Sequence, residues 1–256
     1  MSVSSIHPTA IIARTAEIDS SAVIGPYAII EDNVYIDADT IIGPHTVIRE
    51  FCRIGKNNTI DTHAVIGGHP QHTNFDGSES WVEIGDNNII REGVTIHRAF
   101  QSGAITKIGS DCFLMSYAHI GHDCLVGNKV TLSNNIVLGG HVEVGDSVVM
   151  GGCAAAHQFL RIGSYAMIGA YSPLRKDVLP YCMVGGTPIR HYRLNAIGLK
   201  RGGFSKKRYC AIEAAFRALR DGNKKLSGVP DTEDVKHLRE WLSEKSKYGV
   251  YRFIST

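Results

Sequence analysis

An aliphatic residue recurs at every sixth position over the first two thirds of the chain, and His72, Ser78 and Ser102 are the three breaks. A small residue, often glycine, follows many of these positions. One phase held over so many steps predicts a hexapeptide repeat folded as a parallel β-helix. The residues in phase are Ile6, Ile12, Ile18, Ile24, Ile30, Ile36, Ile42, Ile48, Ile54, Ile60, Ile66, Ile84, Ile90, Ile96, Ile108, Leu114, Ile120, Val126, Leu132, Leu138, Val144, Met150, Ala156, Ile162, Ile168 and Leu174.

A six-residue period suits a triangular coil, since a short strand and a tight turn make one side and three sides close a coil of about 18 residues. The aliphatic residue of each side points inward and stacks on its counterpart in the next coil. β-Branched Ile and Val pack well on such a half-buried surface. Each coil contacts only its neighbours, so the predicted stability grows along the stack.

Two segments interrupt the repeat without changing its phase, at residues 67–81 and 97–107. We interpret both as loops that leave the coil and return in register. Long loops on a rigid scaffold often carry function, although a tolerated insertion has the same pattern.

The repeat ends near Pro180, and the apolar spacing beyond it becomes helical. Ser205 is placed to cap a helix that runs to about Leu219, and Asp231 is placed to cap another. We therefore predict two domains, a β-helix over residues 1–189 and a small helical domain over residues 190–256.

Composition narrows the function classes only a little. The chain has 256 residues, a net charge of +2 and an apolar fraction of 43%. Six cysteines form no CxxC pair, no basic and apolar leader opens the chain, and no run of about 18 apolar residues occurs. These features favour a cytoplasmic protein with free thiols.

Basic residues dominate the segment from Arg190 to Lys225, where Glu213 and Asp221 are the acidic ones. This bias can bind phosphate or an acidic protein, or it can be a solvated helical face. No nucleic-acid recognition module accompanies it.

Four histidines, His119, His122, His141 and His157, fall close together in the second half of the repeat. None occupies an inward position, so we expect them on the outer surface of the coil. Asp123 follows His122, and a carboxylate beside an imidazole supports a general base.

No strand-to-helix elbow with Ser or Cys, no P-loop and no dinucleotide fingerprint occurs. Direct transfer to a hydroxyl activated by a general base therefore suits the residues present. The Gly139-Gly140 pair could expose a backbone N–H to a developing oxyanion. Flat apolar faces of β-helices commonly associate about a threefold axis, so we expect some histidines to act across a subunit boundary.

Several motifs together closely resemble the bacterial UDP-N-acetylglucosamine 3-O-acyltransferase family, and they cover nearly the whole chain. They are AHIGHDCLVGN, LSNNIVLGGHVEVGD, AAAHQFLRIG, GLKRGGFS and IREGVTIHRA. The resemblance implies a homotrimer of left-handed parallel β-helices. It also implies transfer of an (R)-3-hydroxyacyl chain from acyl carrier protein to UDP-N-acetylglucosamine in lipid A synthesis, with no cofactor beyond the carrier's phosphopantetheine and no metal.

The same resemblance assigns roles residue by residue. His122 matches the general base, Asp123 its supporting carboxylate and Gly140 the oxyanion donor. The basic C-terminal helices match the surface that docks acyl carrier protein, and Ala170 matches the position that sets acyl-chain length. Residues that match substrate contacts are Gln71, His72, Asn74, His119, His141, His157, Gln158, Asn195 and Arg201.

The chain departs from the family at three of these motif positions. His72 replaces an acidic residue, Asn74 replaces Lys, and Gly202 replaces a second Arg. A 3-amino sugar nucleotide as acceptor therefore stays open. So do an acetyl-CoA-dependent acetyltransferase and a hydratase with zinc held by three histidines between subunits, while a purely structural β-helix explains neither the loops nor the histidines.

Overall fold

The computed structural model describes residues 5–254, in which short strands follow one another in rotation through three parallel sheets. Sheet I contains the strands Ser5–Ile6, Val23–Ile24, Ile41–Ile42, Thr59–Ile60, Ile89–Ile90, Phe113–Leu114, Thr131–Leu132, Val149–Met150, Met167–Ile168 and Cys182–Gly185. An eleventh strand, Arg190–Leu194, pairs antiparallel with the last of them.

The other two sheets complete each coil. Sheet II contains Ile11–Ile12, Ile29–Ile30, Val47–Ile48, Val65–Gly68, Thr95–His97, His119–Ile120, Val137–Leu138, Ala155–Ala156 and Pro173–Leu174. Sheet III contains Glu17–Ile18, Val34–Ile36, Cys52–Ile54, Trp81–Ile84, Ile105–Ile108, Leu125–Val126, Glu143–Val144 and Arg161–Ile162. The result is a parallel β-helix, as the repeat predicts.

The aliphatic residue of each repeat points inward and pairs with its counterpart one coil away. Ile42 pairs with Ile24 on one side and Ile60 on the other, and all three are buried. Ile6, in the first coil that the structure describes, is 41% exposed, whereas Ile24, one coil later, is buried.

The turns between sheets share one strained backbone conformation. The third residue after the inward one has a positive φ in almost every turn, and it is usually not glycine, as at Asn33, Asp123 and His141. Asn and Asp tolerate this left-handed region better than most residues do. The turns therefore place side chains in straight columns along the helix.

Both interruptions of the repeat are loops at the corner between sheets II and III. Residues 69–80 connect Val65–Gly68 to Trp81–Ile84, and residues 98–104 connect Thr95–His97 to Ile105–Ile108. The prediction that they leave and return in register is confirmed, since Ile84 pairs with Ile54 and with Ile108.

Three helices follow the hairpin, α1 (Ala196–Arg201), α2 (Lys206–Arg220) and α3 (Glu233–Ser243). The Ser205 hydroxyl caps α2 as predicted, accepting from the Arg208 N–H. Thr232, rather than Asp231, caps α3, because its hydroxyl is the group that reaches the Val235 N–H. Sequence reasoning missed α1, a short helix capped by Asn195.

The C-terminal segment returns to the β-helix after α3. Val250 bridges Asp177, and Phe253 bridges His191. The sheet continues through Leu194 before the helices begin, so the domain division at residue 189 stays a prediction. None of the helices between residues 5 and 254 combines the length and the apolar character that crossing a membrane demands.

The three outer faces differ in chemistry. Sheet I exposes Ile41 (44%) and Ile89 (47%), and sheet II exposes Ile11 (64%) and Val137 (45%). The outward residues of sheet III are mostly charged: Glu17, Tyr35, Arg53, Glu83, Lys107, Leu125, Glu143 and Arg161.

Candidate active site

One turn position at the II/III corner gathers the chemistry-bearing side chains. It is the second residue after each inward residue of sheet II, and the column along the helix reads Asp32, Glu50, Gly68, Arg98, His122, Gly140 and Gln158. Because successive coils are in register, these residues form a line beside the two loops.

His122 and Asp123 form the centre of the site. His122 Nδ1 donates to Asp123 Oδ2 over 2.6 Å, since the carboxylate can only accept. The same oxygen accepts from the Phe100 N–H at 3.0 Å, and the Asp123 N–H donates to Thr106 Oγ1 at 2.8 Å. The bond at Nδ1 leaves Nε2 as the nitrogen that can accept a proton, as a general base requires.

His122 is buried beneath the loops. It is 9% exposed, with the ring of Phe100 6.1 Å and the ring of His72 5.9 Å from its own, between centroids. The position of His122 outside the aliphatic core is as predicted, but the expectation of an outer-surface residue is wrong for it, because side chains of both loops cover the turn.

His141 completes a cluster on the next coil. Its ring stands perpendicular to that of His122 at 5.2 Å, and its Nε2 lies 3.7 Å from Asp123 Oδ2. The His141 ring stacks on the Phe159 ring, 4.5 Å away, and the Lys247 ammonium lies over the Phe159 ring. Burial lowers the pKa of His141 although the Asp123 charge opposes this, which favours a neutral imidazole that can bind substrate hydroxyls.

Gly140 is a glycine because His122 lies against it. A Cβ there would be 2.7 Å from His122 Cε1 and Nε2. Its N–H finds no hydrogen-bond partner within residues 5–254. An unpaired N–H beside the base is a suitable donor to an oxyanion.

His119 lies on the outer face of sheet II, on the strand His119–Ile120 that leads directly into the turn with His122. Its Nδ1 is 2.9 Å from Thr95 Oγ1, and its ring is 5.1 Å from that of His97. Burial, with the neighbouring His97, lowers the pKa of His119 to about 4. His119 is therefore neutral at physiological pH and fits a hydrogen-bonding role.

The other predicted contacts around this corner are more open. His157 lies one coil beyond His141, is exposed and meets Tyr248 edge to face at 5.3 Å. Gln158 is exposed at the end of the column. In the first loop, Gln71 and His72 are exposed, and His72 Nδ1 accepts from the Asn74 N–H.

Three predicted residues lie away from His122 in this chain. The Asn195 side chain caps α1 and donates to the Tyr165 carbonyl. Asn195 and Arg201 line a groove on the outer side of sheet I, opposite the II/III corner. Ala170 is exposed at a turn between sheets I and II. One chain thus brings the catalytic cluster together but does not bring these residues to it.

Sequence reasoning missed the residues that hold the His122–Asp123 pair and His141 in place. Phe100 and Thr106 bond Asp123, Phe159 supports His141, and Lys247 reaches the site from after α3. Phe159 could have been found, since it stands 18 positions after His141, one coil along the same column. Phe100 acts through its backbone N–H, for which the sequence carries no signal.

The zinc alternative meets a partial match. Ligand atoms of His122, Asp123 and His141 lie within 4.8 Å of one another. His122 Nδ1, however, already donates to Asp123, and His157 packs on Tyr248 instead. The absence of a metal requirement stays a prediction that metal analysis would test.

Comparisons with known proteins cover nearly the whole chain. A family model described as UDP N-acetylglucosamine O-acyltransferase, domain 2, matches residues 177–251, and a bacterial transferase hexapeptide model matches residues 15–50. An acyl-[acyl-carrier-protein]–UDP-N-acetylglucosamine O-acyltransferase from Xanthomonas oryzae is 44% identical over 252 residues, 97% of this chain and 94% of that protein. A protein of the same name from Paracidovorax citrulli is 50% identical over 85% of this chain and 83% of its own length.

Solved structures agree with the sequence relatives. The crystal structure of UDP-N-acetylglucosamine O-acyltransferase from Moraxella catarrhalis matches with a TM-score of 0.90 and 39% identity, over 96% of this chain and 99% of that one. The predicted fold class, a left-handed parallel β-helix followed by a small helical region, is confirmed.

Proposed function

We propose that this chain, which belongs to the family of acyl-[acyl-carrier-protein]–UDP-N-acetylglucosamine O-acyltransferases, transfers an (R)-3-hydroxyacyl group to the 3-hydroxyl of UDP-N-acetylglucosamine. The donor is acyl carrier protein, and the reaction is the first step of lipid A biosynthesis. The observation that carries the proposal is the 44% identity to the Xanthomonas relative, which extends over nearly the full length of both chains. The buried His122–Asp123 pair beneath two loops supports it.

His122 Nε2 removes the proton of the sugar 3-hydroxyl as its oxygen attacks the thioester carbonyl. The new C–O bond forms, and the oxyanion that develops accepts from the Gly140 N–H. The C–S bond then breaks, and the phosphopantetheine thiolate receives the proton from His122. No acyl-enzyme forms, and the protein needs no resident cofactor.

His119, His141, His157 and Gln158 border this corner, and we assign to them the binding of sugar, nucleotide and acyl chain. Neutral imidazoles can donate to or accept from hydroxyl and carbonyl groups. His119 is held neutral by burial, which lowers its pKa to about 4. Gln71, His72 and Asn74 form the roof that closes over the acceptor.

The chemistry of the three faces supports a homotrimer. Sheets I and II are apolar while sheet III is charged, so packing sheet I of one copy on sheet II of the next buries both apolar faces. This contact is heterologous, and it closes as a ring about a threefold axis. The groove with Asn195 and Arg201 then faces the neighbour's II/III corner and completes its site, with Arg201 on the nucleotide phosphates.

Acyl carrier protein docks on the basic C-terminal helices. Lys200 of α1 and Lys206 and Lys207 of α2 are exposed, and a cationic surface attracts an acidic carrier. Both substrates and the six unpaired cysteines fit a cytoplasmic setting.

The 3-amino sugar nucleotide is tested as a second acceptor because of His72. This residue stands where the family has an acidic one, and the centroid of its ring lies 5.9 Å from that of His122. Purified protein is offered 3-hydroxyacyl carrier proteins with UDP-N-acetylglucosamine or its 3-amino analogue, and products are identified by mass. An ester of UDP-N-acetylglucosamine supports the proposal. Amide formation alone, or transfer from acetyl-CoA alone, refutes it.

A further inference from the structure

Arg98 is a charged side chain buried in an unusual way. It is 1% exposed and stands in the II/III corner column one coil before His122. Its Nη2 lies 3.1 Å from Glu50 Oε1, while Nε and Nη1 have no hydrogen-bond partner in the part of the chain that the structure describes. Arginine is rarely buried so deeply, and a half-satisfied guanidinium costs free energy. A position that retains such a group needs a compensating role.

The guanidinium lies close to two aromatic rings from different parts of the chain. The centroid of Phe51, on a turn of the scaffold, is 5.1 Å from Arg98 Cζ, and that of Phe75, in the 69–80 loop, is 5.3 Å away. A desolvated cation attracts the faces of aromatic rings. Arg98 therefore fastens the first loop to the coil beneath it.

Arg98 is also the first residue of the second loop. Its N–H donates to the Gly68 carbonyl, where the first loop begins. Two residues later, the Phe100 N–H donates to Asp123 Oδ2, and the Phe100 ring lies 4.3 Å from that of His72. Arg98 thus belongs to the second loop, and its side chain joins that loop to Glu50 and Phe51 of the scaffold and to Phe75 of the first loop.

We propose that Arg98 is a positioning residue that holds loops 69–80 and 98–104 over His122 and Asp123. It touches neither the base nor the carboxylate, and it acts through Phe75 and Phe100. Its catalytic consequence rests on the proposed acyltransferase function, whereas its hold on the loops does not.

The test compares Arg98→Met, Arg98→Lys and Arg98→Ala with the control Arg53→Met. Arg53 also stacks on an aromatic ring, with Trp81 at 3.7 Å, and pairs with Glu83, but it stands on sheet III outside both loops. Folding is checked by circular dichroism and thermal melting. Amide hydrogen exchange of residues 69–80 and of the Phe100 N–H is measured without substrate, and kcat and KM are measured with both substrates.

We expect the three Arg98 variants to lose exchange protection in both loops and to lose about 10- to 100-fold in kcat/KM, since small misplacements of catalytic groups cost this much. Guanidinium ion added at millimolar concentration should restore part of the activity of Arg98→Ala and none of that of Arg53→Met. Lysine should not substitute, because it lacks the planar guanidinium that can pair with Glu50 and pack against aromatic rings at once.

Two outcomes overturn the proposal: loops as protected in Arg98→Met as in the unmodified protein, or lost protection with kcat/KM unchanged. If every variant melts at low temperature, the guanidinium rescue of Arg98→Ala still decides, and no rescue rejects the proposal. An unmodified protein with no acyltransferase activity would reject the proposed function alone, because loop protection is read without substrate.

Discussion

His122 Nδ1 lies 2.6 Å from Asp123 Oδ2, and the two residues are neighbours in a turn whose second member, Asp123, has a φ of 61°. The left-handed turn directs the carboxylate back towards the imidazole of the preceding residue. Asp is one of the few residues that tolerate this conformation. The strained turn thus builds the pair from adjacent positions in the chain.

Replacing His122 by alanine should lower kcat by about 10²- to 10⁴-fold, the usual range for a lost general base. Asp123→Asn keeps the turn, since Asn also tolerates positive φ, and should lower kcat by about 10²-fold through misorientation of the imidazole. Steady-state kinetics measure both. His45→Ala, at an exposed turn, is the control, and near full activity of His122→Ala would remove this residue from the mechanism.

Gly140→Ala should lower kcat by about 10²-fold, because the added methyl would lie 2.7 Å from the His122 ring and displace the base. Gly152 occupies the same turn position at another corner, where a Cβ would have 3.5 Å of clearance. Gly152→Ala should therefore keep its activity. Equal kinetics for the two variants would contradict the packing of Gly140 against His122.

His191 should make the folded state sensitive to acid. It is fully buried, its Nε2 accepts from the Leu179 N–H and its Nδ1 donates to the Tyr251 carbonyl. Burial lowers the pKa of His191 to about 4, so the unfolded chain binds the proton more readily and stability falls as pH drops from about 6.5 to about 4.

The loss attributable to this residue should reach about 3 kcal/mol at the lower end of that range. Urea unfolding at a series of pH values measures it, and His191→Gln should flatten the dependence while the exposed His45→Gln should not. A His191→Gln profile parallel to that of the unmodified protein would show that another group is responsible.

Placing a charge on the outer face of sheet I should separate the subunits of the proposed homotrimer. Ile89 is 47% exposed in the single chain, and Leu125, on sheet III, is exposed to the same extent. Ile89→Arg should give a mass near 27.9 kDa by light scattering, one third of the trimer mass, and should lose activity with it. Leu125→Arg should stay trimeric. If Leu125→Arg dissociated and Ile89→Arg did not, the interface would lie on sheet III and the proposed packing of sheet I on sheet II would be wrong.

Ala170→Gly should shift the preference towards longer acyl chains by about tenfold, the size of effect that one methylene has in an apolar pocket. Competition between acyl carrier proteins of two chain lengths measures the shift. Ala38→Gly, at an equivalent turn position far from this end, is the control. An unchanged preference after Ala170→Gly would mean that the chain ends elsewhere.

The β-helix and its inward-facing residues could be predicted almost completely from the sequence. The six-residue phase identified inward residues such as Ile42 and Leu114, and it survived both loops because the coil resumes in register. Spacing also related His122 to His141, since 19 positions are one coil and one residue. In a repeat, contacts between successive coils can be predicted from the sequence, because the two residues in contact are usually separated by a fixed number of positions.

What escaped prediction depends on contacts that do not repeat. Burial of His122 comes from Phe100 and His72, whose loops adopt conformations set by Arg98 and the neighbouring rings. The cap of α3 at Thr232 was missed by one residue because Asp231 pairs with Arg239 instead.

Both loops emerge at one corner and return in register, so the coils around them differ in length while the ladders do not. Asp86 bonds Lys56 across 30 positions and Asn87 meets Asp111 across 24, where an unmodified coil spans 18, as between Asn128 and Asp146. Residues can therefore be gained, lost or exchanged at this corner without any strand changing its partner. Residues beside the His122–Asp123 pair, and with them the choice of acceptor, can therefore change while the coil that holds the pair keeps its shape.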